Sequence, residues 1–180
     1  GNTVAARTSE GRPSRILWAG HIDTVPAHGN DVGAMRDGVL WGRGSVDMKS
    51  SVAIGLKLAV EMTNPSLDVT WIFYDNEEVE SARNGLGLFG AAHPDWVDGD
   101  MAIVGEPSNG IVEGGCNGTL RVEVSATGTR AHSARSWMGE NAIHGASSIL
   151  ERLVAYQPAT IQVDGLSYRE GVNAVRITGG

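Results

Sequence analysis

The sequence predicts an α/β protein: a mixed sheet flanked by helices, followed by the beginning of a second, smaller unit. Three observations predict it. Short, nearly continuous apolar runs at Val69–Tyr74 and Met101–Val104 fit strands covered on both faces. Between such runs, Met48 to about Met62 carries apolar residues at helical spacing. After about Gly115 the pattern changes, and Thr119–Ser125 and Val172–Thr178 alternate apolar with polar residues, as strands with one solvated face do. The amphipathic stretch Glu140–Tyr156 lies between them, so the second unit reads as β-α-β. Such a piece exposes a sheet edge and an uncovered face, so it is expected to be an unfinished domain. The division is expected between 117 and 118.

The elements follow in order. Asn2–Thr8 and Arg15–Ala19 read as strands on either side of the polar turn Ser9–Ser14, which contains Gly11 and Pro13. Val39–Trp41 is a short strand, followed by the glycine-punctuated loop Gly42-Arg43-Gly44-Ser45-Val46-Asp47. In the first helix Val52, Ala53, Leu56, Ala59 and Val60 fit a 3.6-residue period, and Asn64-Pro65 stops it. Asn84–His93 is a weaker helix, diluted by its glycines. In the second unit Leu120, Val122 and Val124 alternate with Arg121, Glu123 and Ser125, and Ile143, Ala146, Ile149, Leu150, Leu153 and Val154 share one helical face.

Composition excludes several classes of function. The chain has 180 residues, 41% of them hydrophobic and 19% charged, enough for one domain or slightly more. With 14 Lys and Arg against 21 Asp and Glu, the formal net charge is −7, which argues against a nucleic-acid module. No apolar run approaches the ~20 residues of a membrane span. The single cysteine, Cys116, rules out an intramolecular disulfide framework and suits the cytoplasm. Gly1–Glu10 has no apolar signal-peptide core, and a first residue other than Met places the expected true N-terminus elsewhere.

The acidic and imidazole groups fall at strand ends. Arg15–Ala19 runs into Gly20-His21-Ile22-Asp23-Thr24-Val25-Pro26, Val69–Tyr74 into Asp75-Asn76-Glu77-Glu78, and Met101–Val104 into Gly105-Glu106-Pro107. Open α/β sheets place their ligand sites at the carboxyl ends of their strands. Asp47, at the start of the long helix, can turn toward the same edge. Each cluster alone has an ordinary explanation: a packed histidine, a solvated charge pair, a turn, a helix N-cap. Together they gather one histidine and several carboxylates that would repel unless a cation sat among them. Imidazole and carboxylate ligands without thiolate fit Zn²⁺ or Co²⁺ in a catalytic site. One of Glu77 and Glu78 is expected to coordinate while the other remains free as a proton carrier, and Asp23 to accept the second ring N–H of His21.

The blocks HIDTVP, WGRGSVDMKSS, FYDNEE and VGEPS resemble, in order and spacing, those of the dinuclear zinc aminoacylase/carboxypeptidase family. GTRAHSARSWMGENAIH, at Gly128–His144, is most similar to the family's succinyl-diaminopimelate desuccinylases. The resemblance runs over nearly the whole chain. It implies a zinc-exopeptidase-like catalytic domain over 1–117 and an incomplete ferredoxin-like lid and dimerisation domain over 118–180. It further implies two Zn²⁺ ions, replaceable by Co²⁺: His21 and Glu106 on one, Asp47 bridging both, and Glu78 on the second. Glu77 is then the general base and acid, and Asp23 orients His21. His132 corresponds to a lid histidine that stabilises the oxyanion across a homodimer. Arg135 is expected to pair with a substrate carboxylate. No catalytic role is expected for His28, His93 or His144.

The family's second zinc takes a further histidine beyond the lid, after the point where this chain ends, so an N-terminal fragment is expected. The implied reaction is hydrolysis of N-succinyl-LL-2,6-diaminopimelate to succinate and LL-2,6-diaminopimelate. The alternatives are an N-acetylornithine deacetylase, another aminoacylase or a carboxypeptidase of the same chemistry, and a non-catalytic metal-binding protein or inactive fragment. The expected partners are a small N-acyl diamino acid and a second copy of the chain, with no nucleic acid and no membrane.

Overall fold

The computed structural model describes residues 2–179, and the chain divides into two units, Gly1–Ile111 and Val112–Gly180. In chain order the first contains β1 (Val4–Arg7), β2 (Arg15–His21), β3 (Ala34–Arg36), β4 (Val39–Trp41), α1 (Lys49–Glu61), β5 (Asp68–Tyr74), α2 (Gly85–Ala92) and β6 (Met101–Val104). Four of these strands form one sheet in the order β1-β5-β2-β6. β1 runs antiparallel to β5, whereas β5, β2 and β6 are parallel, so the sheet is mixed as the sequence predicts. The parallel strands end nearly together, with His21 opposite Tyr74 and Ala19 opposite Val104.

β5 reads as an apolar run because both of its faces are covered, and it is buried from Asp68 to Tyr74. Its side chains alternate between two cores. Leu17, Ala19, Ile72 and Tyr74 pack with Leu86 and Phe89 of α2, and Trp18, Val69, Trp71 and Phe73 with Val52 of α1. Trp18 sets how closely α1 can approach: a Cβ on Gly55 would lie 2.6 Å from its ring. Gly20 and Gly105 leave similar room for Trp18 and the fully buried Met48.

At the opposite end of β5 the Asp68 carboxylate accepts hydrogen bonds from the Thr8 hydroxyl and the Glu10 and Arg12 N–H groups, with Arg15 at 3.6 Å. The Glu10 N–H above all, then Thr8, Arg12 and Arg15, hold its carboxyl below the ordinary aspartate range, against the opposing effect of burial. The short hairpin β3–β4 turns through Asp37 and Gly38, both at positive φ. Asp-Gly favours such two-residue hairpin turns.

The second unit differs from the expected β-α-β. Thr119–Ser125 and Val172–Thr178 are not strands, and Leu120 is 87% and Val175 80% exposed. Alternation defines a face, but a strand exists only when a neighbour takes up its backbone N–H and C=O groups. Among the described residues neither segment has one. The helix expected over Glu140–Tyr156 is interrupted at Ala146, giving α3 (Ala142–Gly145) and α4 (Ser147–Ala155). The Asn141 side chain caps α3 by accepting the N–H groups of Ile143 and His144. After them come β7 (Thr160–Val163) and β8 (Leu166–Arg169), a hairpin turning through Asp164 and Gly165, again both at positive φ. Among the described residues no helix is long and apolar enough to cross a membrane.

Candidate metal centre

Parallel pairing of β5, β2 and β6 delivers three polar segments to one sheet edge. β2 ends on His21, β5 leads into Asp75–Glu78, and β6 leads into Gly105-Glu106. Between β4 and α1, the Gly42–Asp47 loop brings a fourth. One ligand atom from each of His21, Asp47 and Glu78 lies within 4.8 Å of the others. Nε2 of His21 is 3.1 Å from Asp47 Oδ1 and 3.7 Å from Glu106 Oε1.

The His21 ring is held from several sides. Only 1% of the residue is exposed, its ring meets Tyr74 edge-on, and its backbone N–H donates to the Met48 thioether at 3.2 Å. Its Nδ1 is 3.0 Å from the Asp23 carbonyl oxygen, which can only accept, so Nδ1 carries the hydrogen. In the neutral ring Nε2 then directs a lone pair toward two carboxylates. That arrangement repels unless a cation or proton lies between them, so the donor set fits a metal ion.

Asp23 meets the His21 ring through its backbone. Its carbonyl, rather than its carboxylate, makes the closer approach to Nδ1; the carboxylate is 3.5 Å away. The carboxylate instead accepts the backbone N–H groups of Glu77 and Glu78, both at 3.2 Å. Asn76, at positive φ, turns the chain immediately before these two amides. Asp47 is not a helix cap either: Met48 occupies the N-cap position of α1, and no side chain caps that end. The Asp47 side chain is 51% exposed and reaches His21.

Charge crowding marks the same residues. Burial, then the neighbouring Asp47 and Glu77, push the Glu78 carboxyl above the ordinary glutamate range. Burial also raises Glu106, with His21 opposing and Asp47 and Glu77 adding to the rise. Tyr74 rises through burial and then through Glu106, Glu77 and Asp23. A divalent cation relieves this repulsion, and these oxygen and nitrogen donors suit Zn²⁺ or Co²⁺. Beside Asp47 and Glu78 opens a groove of about 450 Å³, whose walls include Val25, Asn30, Trp41 and Arg43.

His132 and Arg135 belong to the second unit. His132 immediately precedes the 3₁₀ segment Ser133–Met138, and its Nδ1 accepts the Ala134 N–H at 3.1 Å. Arg135 lies exposed within that segment. His93 packs against Phe89 at the end of α2, His144 lies in α3, and His28 occupies a loop at positive φ. Two residues that border the centre, Met48 and Lys49, were not among the sequence candidates. The one local sign for Lys49 is a cation in the first turn of a helix, where the dipole opposes it.

The sequence pattern of Peptidase family M20/M25/M40 matches residues 17–167. The chain belongs to this family. Over 180 residues it is 52% identical to a Mycobacterium tuberculosis protein provisionally named succinyl-diaminopimelate desuccinylase DapE, covering 100% of this chain and 51% of that one. It is 49% identical over 177 residues to the succinyl-diaminopimelate desuccinylase of Corynebacterium glutamicum, covering 97% of this chain and 48% of that one. An Aspergillus niger protein provisionally named a carboxypeptidase is 33% identical over 157 residues, 81% of this chain and 36% of that one. The chain thus spans about half the length of these Mycobacterium and Corynebacterium relatives. Family membership implies a divalent metal, in agreement with the donor set at the sheet edge.

Proposed function

We propose that this chain supplies most of the metal-binding residues of an amidohydrolase that cleaves N-succinyl-LL-2,6-diaminopimelate to succinate and LL-2,6-diaminopimelate. The observation that carries the reading is the convergence of His21, Asp47 and Glu78 beside the amide-anchored Glu77-Glu78 pair. The desuccinylase names of two similar relatives supply the substrate. The first unit acts as the catalytic part, and the second as part of a lid through which the protein forms a homodimer in the cytoplasm.

His21 and Glu106 would hold one ion, Glu78 would hold a second, and Asp47 would contribute to both. When bound, two zinc ions, or cobalt in their place, would supply the Lewis acidity that polarises a carbonyl and acidifies water. Glu77 accepts a proton from that water as the new carbon–oxygen bond forms at the carbonyl. It then delivers the proton to the amine nitrogen as the carbon–nitrogen bond breaks, so water is divided between succinate and the free amine. Asp23 fixes the peptide that carries Glu77, His132 donates a hydrogen bond to the developing oxyanion, and Arg135 pairs with a substrate carboxylate.

The test is Glu77→Gln in the full-length protein, with metal content measured alongside succinate release. The reading expects retained metal and lost turnover, and full activity in the variant would remove Glu77 from its role. The similarity to a carboxypeptidase keeps a second substrate class in view. Rates on succinylated diamino acids, acetylated diamino acids and dipeptides separate the two. A purely structural metal site gains nothing from an uncoordinated carboxylate such as Glu77, so a non-catalytic reading is less well supported.

A further inference from the structure

We infer that Lys49 is a positioning residue of the metal centre: its ammonium grips the Ile22 carbonyl and fixes the segment bearing His21 and Asp23 against the turn bearing Asp47. The inference rests on the metal-centre reading above. Nζ of Lys49 donates to the Ile22 carbonyl oxygen at 2.6 Å. The Ile22 N–H donates to the Tyr74 carbonyl at 2.8 Å, so this one residue is bonded to the end of β5 on one side and to α1 on the other. Its two neighbours in sequence are His21, whose Nε2 faces Asp47 and Glu106, and Asp23, whose carboxylate holds the Glu77 and Glu78 amides. A shift of the Ile22 peptide therefore moves both.

The lysine is anchored where it starts as well as where it ends. Its backbone N–H donates to the Gly44 carbonyl at 2.9 Å, and its stem crosses Gly44. A Cβ on Gly44 would lie 3.1 Å from Lys49 Cε and 2.7 Å from the Thr24 methyl, so a residue without a side chain leaves the path open. Gly44 is also at positive φ. The placement runs against helix electrostatics: Lys49 lies in the first turn of α1, where a cation opposes the dipole and no acidic residue offsets it. Lys57 on the same helix provides the contrast, forming an ordinary exposed pair with Glu61 at 3.1 Å.

The test compares Lys49→Met, Lys49→Arg and Lys57→Met in the full-length enzyme. It reads zinc affinity by chelator competition, the visible spectrum of the cobalt-loaded protein, kcat against KM, and the thermal midpoint without metal. Lys49→Met keeps the stem but loses the bond; it should weaken the tighter metal by about 10-fold, as loss of a supporting contact does. It should also alter the cobalt spectrum and lower kcat more than KM. Lys49→Arg should recover most of the affinity, and Lys57→Met should match the parent. Unchanged affinity and cobalt spectrum in Lys49→Met would overturn the inference, as would an equal loss in Lys57→Met. So would a lowered metal-free midpoint that accounts for the lost affinity in both Lys49 variants. Failure of the parent itself to bind metal would instead overturn the metal-centre reading.

Discussion

The two units carry similarly regular apolar patterns, but they use them differently. In the first, β5 lies between β1 and β2, so Phe73 faces Val4 and Trp71 faces Trp18 across the sheet, and the apolar residues of the strand are buried. In the second, the one paired sheet among the described residues is the local hairpin β7–β8, and the alternating segments around Leu120 and Val175 expose their apolar side chains. Alternation marks which side chains share a face, whereas burial depends on a partner elsewhere in the chain. The convergent acidic centre lies in the unit whose strands found such partners, because only aligned strand ends bring His21 and Glu78 together.

The sharpest way to break this comparison is to remove one proposed reacting group from each unit. Glu77→Gln should lower kcat by about 10⁴-fold with metal retained, the upper end of what a general acid–base contributes. His132→Ala should lower it by about 10²-fold, as the loss of one oxyanion donor does. Steady-state rates with metal analysis check both. Equal losses would place the two units on the same footing, and an inert His132→Ala would confine the chemistry to the first.

Stability should divide in the same way. Gly55→Ala forces a methyl into the Trp18 ring and should cost about 1–3 kcal/mol, as core overpacking does. Gly165→Ala places a side chain at positive φ in the β7–β8 turn and should cost less, about 1 kcal/mol. Hydrogen exchange tells the two apart. The first substitution should raise exchange throughout β2 and β5, the second only in β7–β8. If Gly165→Ala loosened the first unit as strongly, the units would share one cooperative transition.

Much of the first unit was legible because its signals are local. A strand at Arg15–Ala19 that runs into His21, and another at Val69–Tyr74 that runs through Asp75-Asn76 into Glu77-Glu78, reveal the site once the strands are taken as parallel. Of the two hairpins only the strand Val39–Trp41 was read, although the turn signal was present in both: Asp37-Gly38 and Asp164-Gly165 are the dipeptides that tight hairpin turns favour. Three- and four-residue strands leave little periodicity beside them. The bonds from the Asp23 carboxylate to the Glu77 and Glu78 amides join residues 54 and 55 apart, and no local pattern encodes them. The Met48 thioether beneath His21 has the same character, since a methionine at a helix start carries no sign of what it will accept. The assignment of separate roles to Asp47, Glu78 and Glu106 came from family resemblance.

The smallest effect tests the end of the sheet opposite the chemistry. Asp68 ties Thr8, Glu10 and Arg12 to the start of β5, and these bonds hold its carboxyl below the ordinary value. The unfolded chain therefore binds the proton more tightly than the folded one, and stability rises with pH across the interval between the two pKa values. The contribution is fully present above the ordinary aspartate range and is lost as pH falls through the lowered value. Asp68→Asn removes that titration, so its thermal midpoint should lie below the parent's at neutral pH, with the gap narrowing in acid. Unfolding followed across that range, with the metal removed to silence the other edge, measures the gap directly. A gap that stayed constant with pH would mean that Asp68 holds the Glu10–Arg12 turn by shape alone, and that the charge at this end of the sheet contributes nothing.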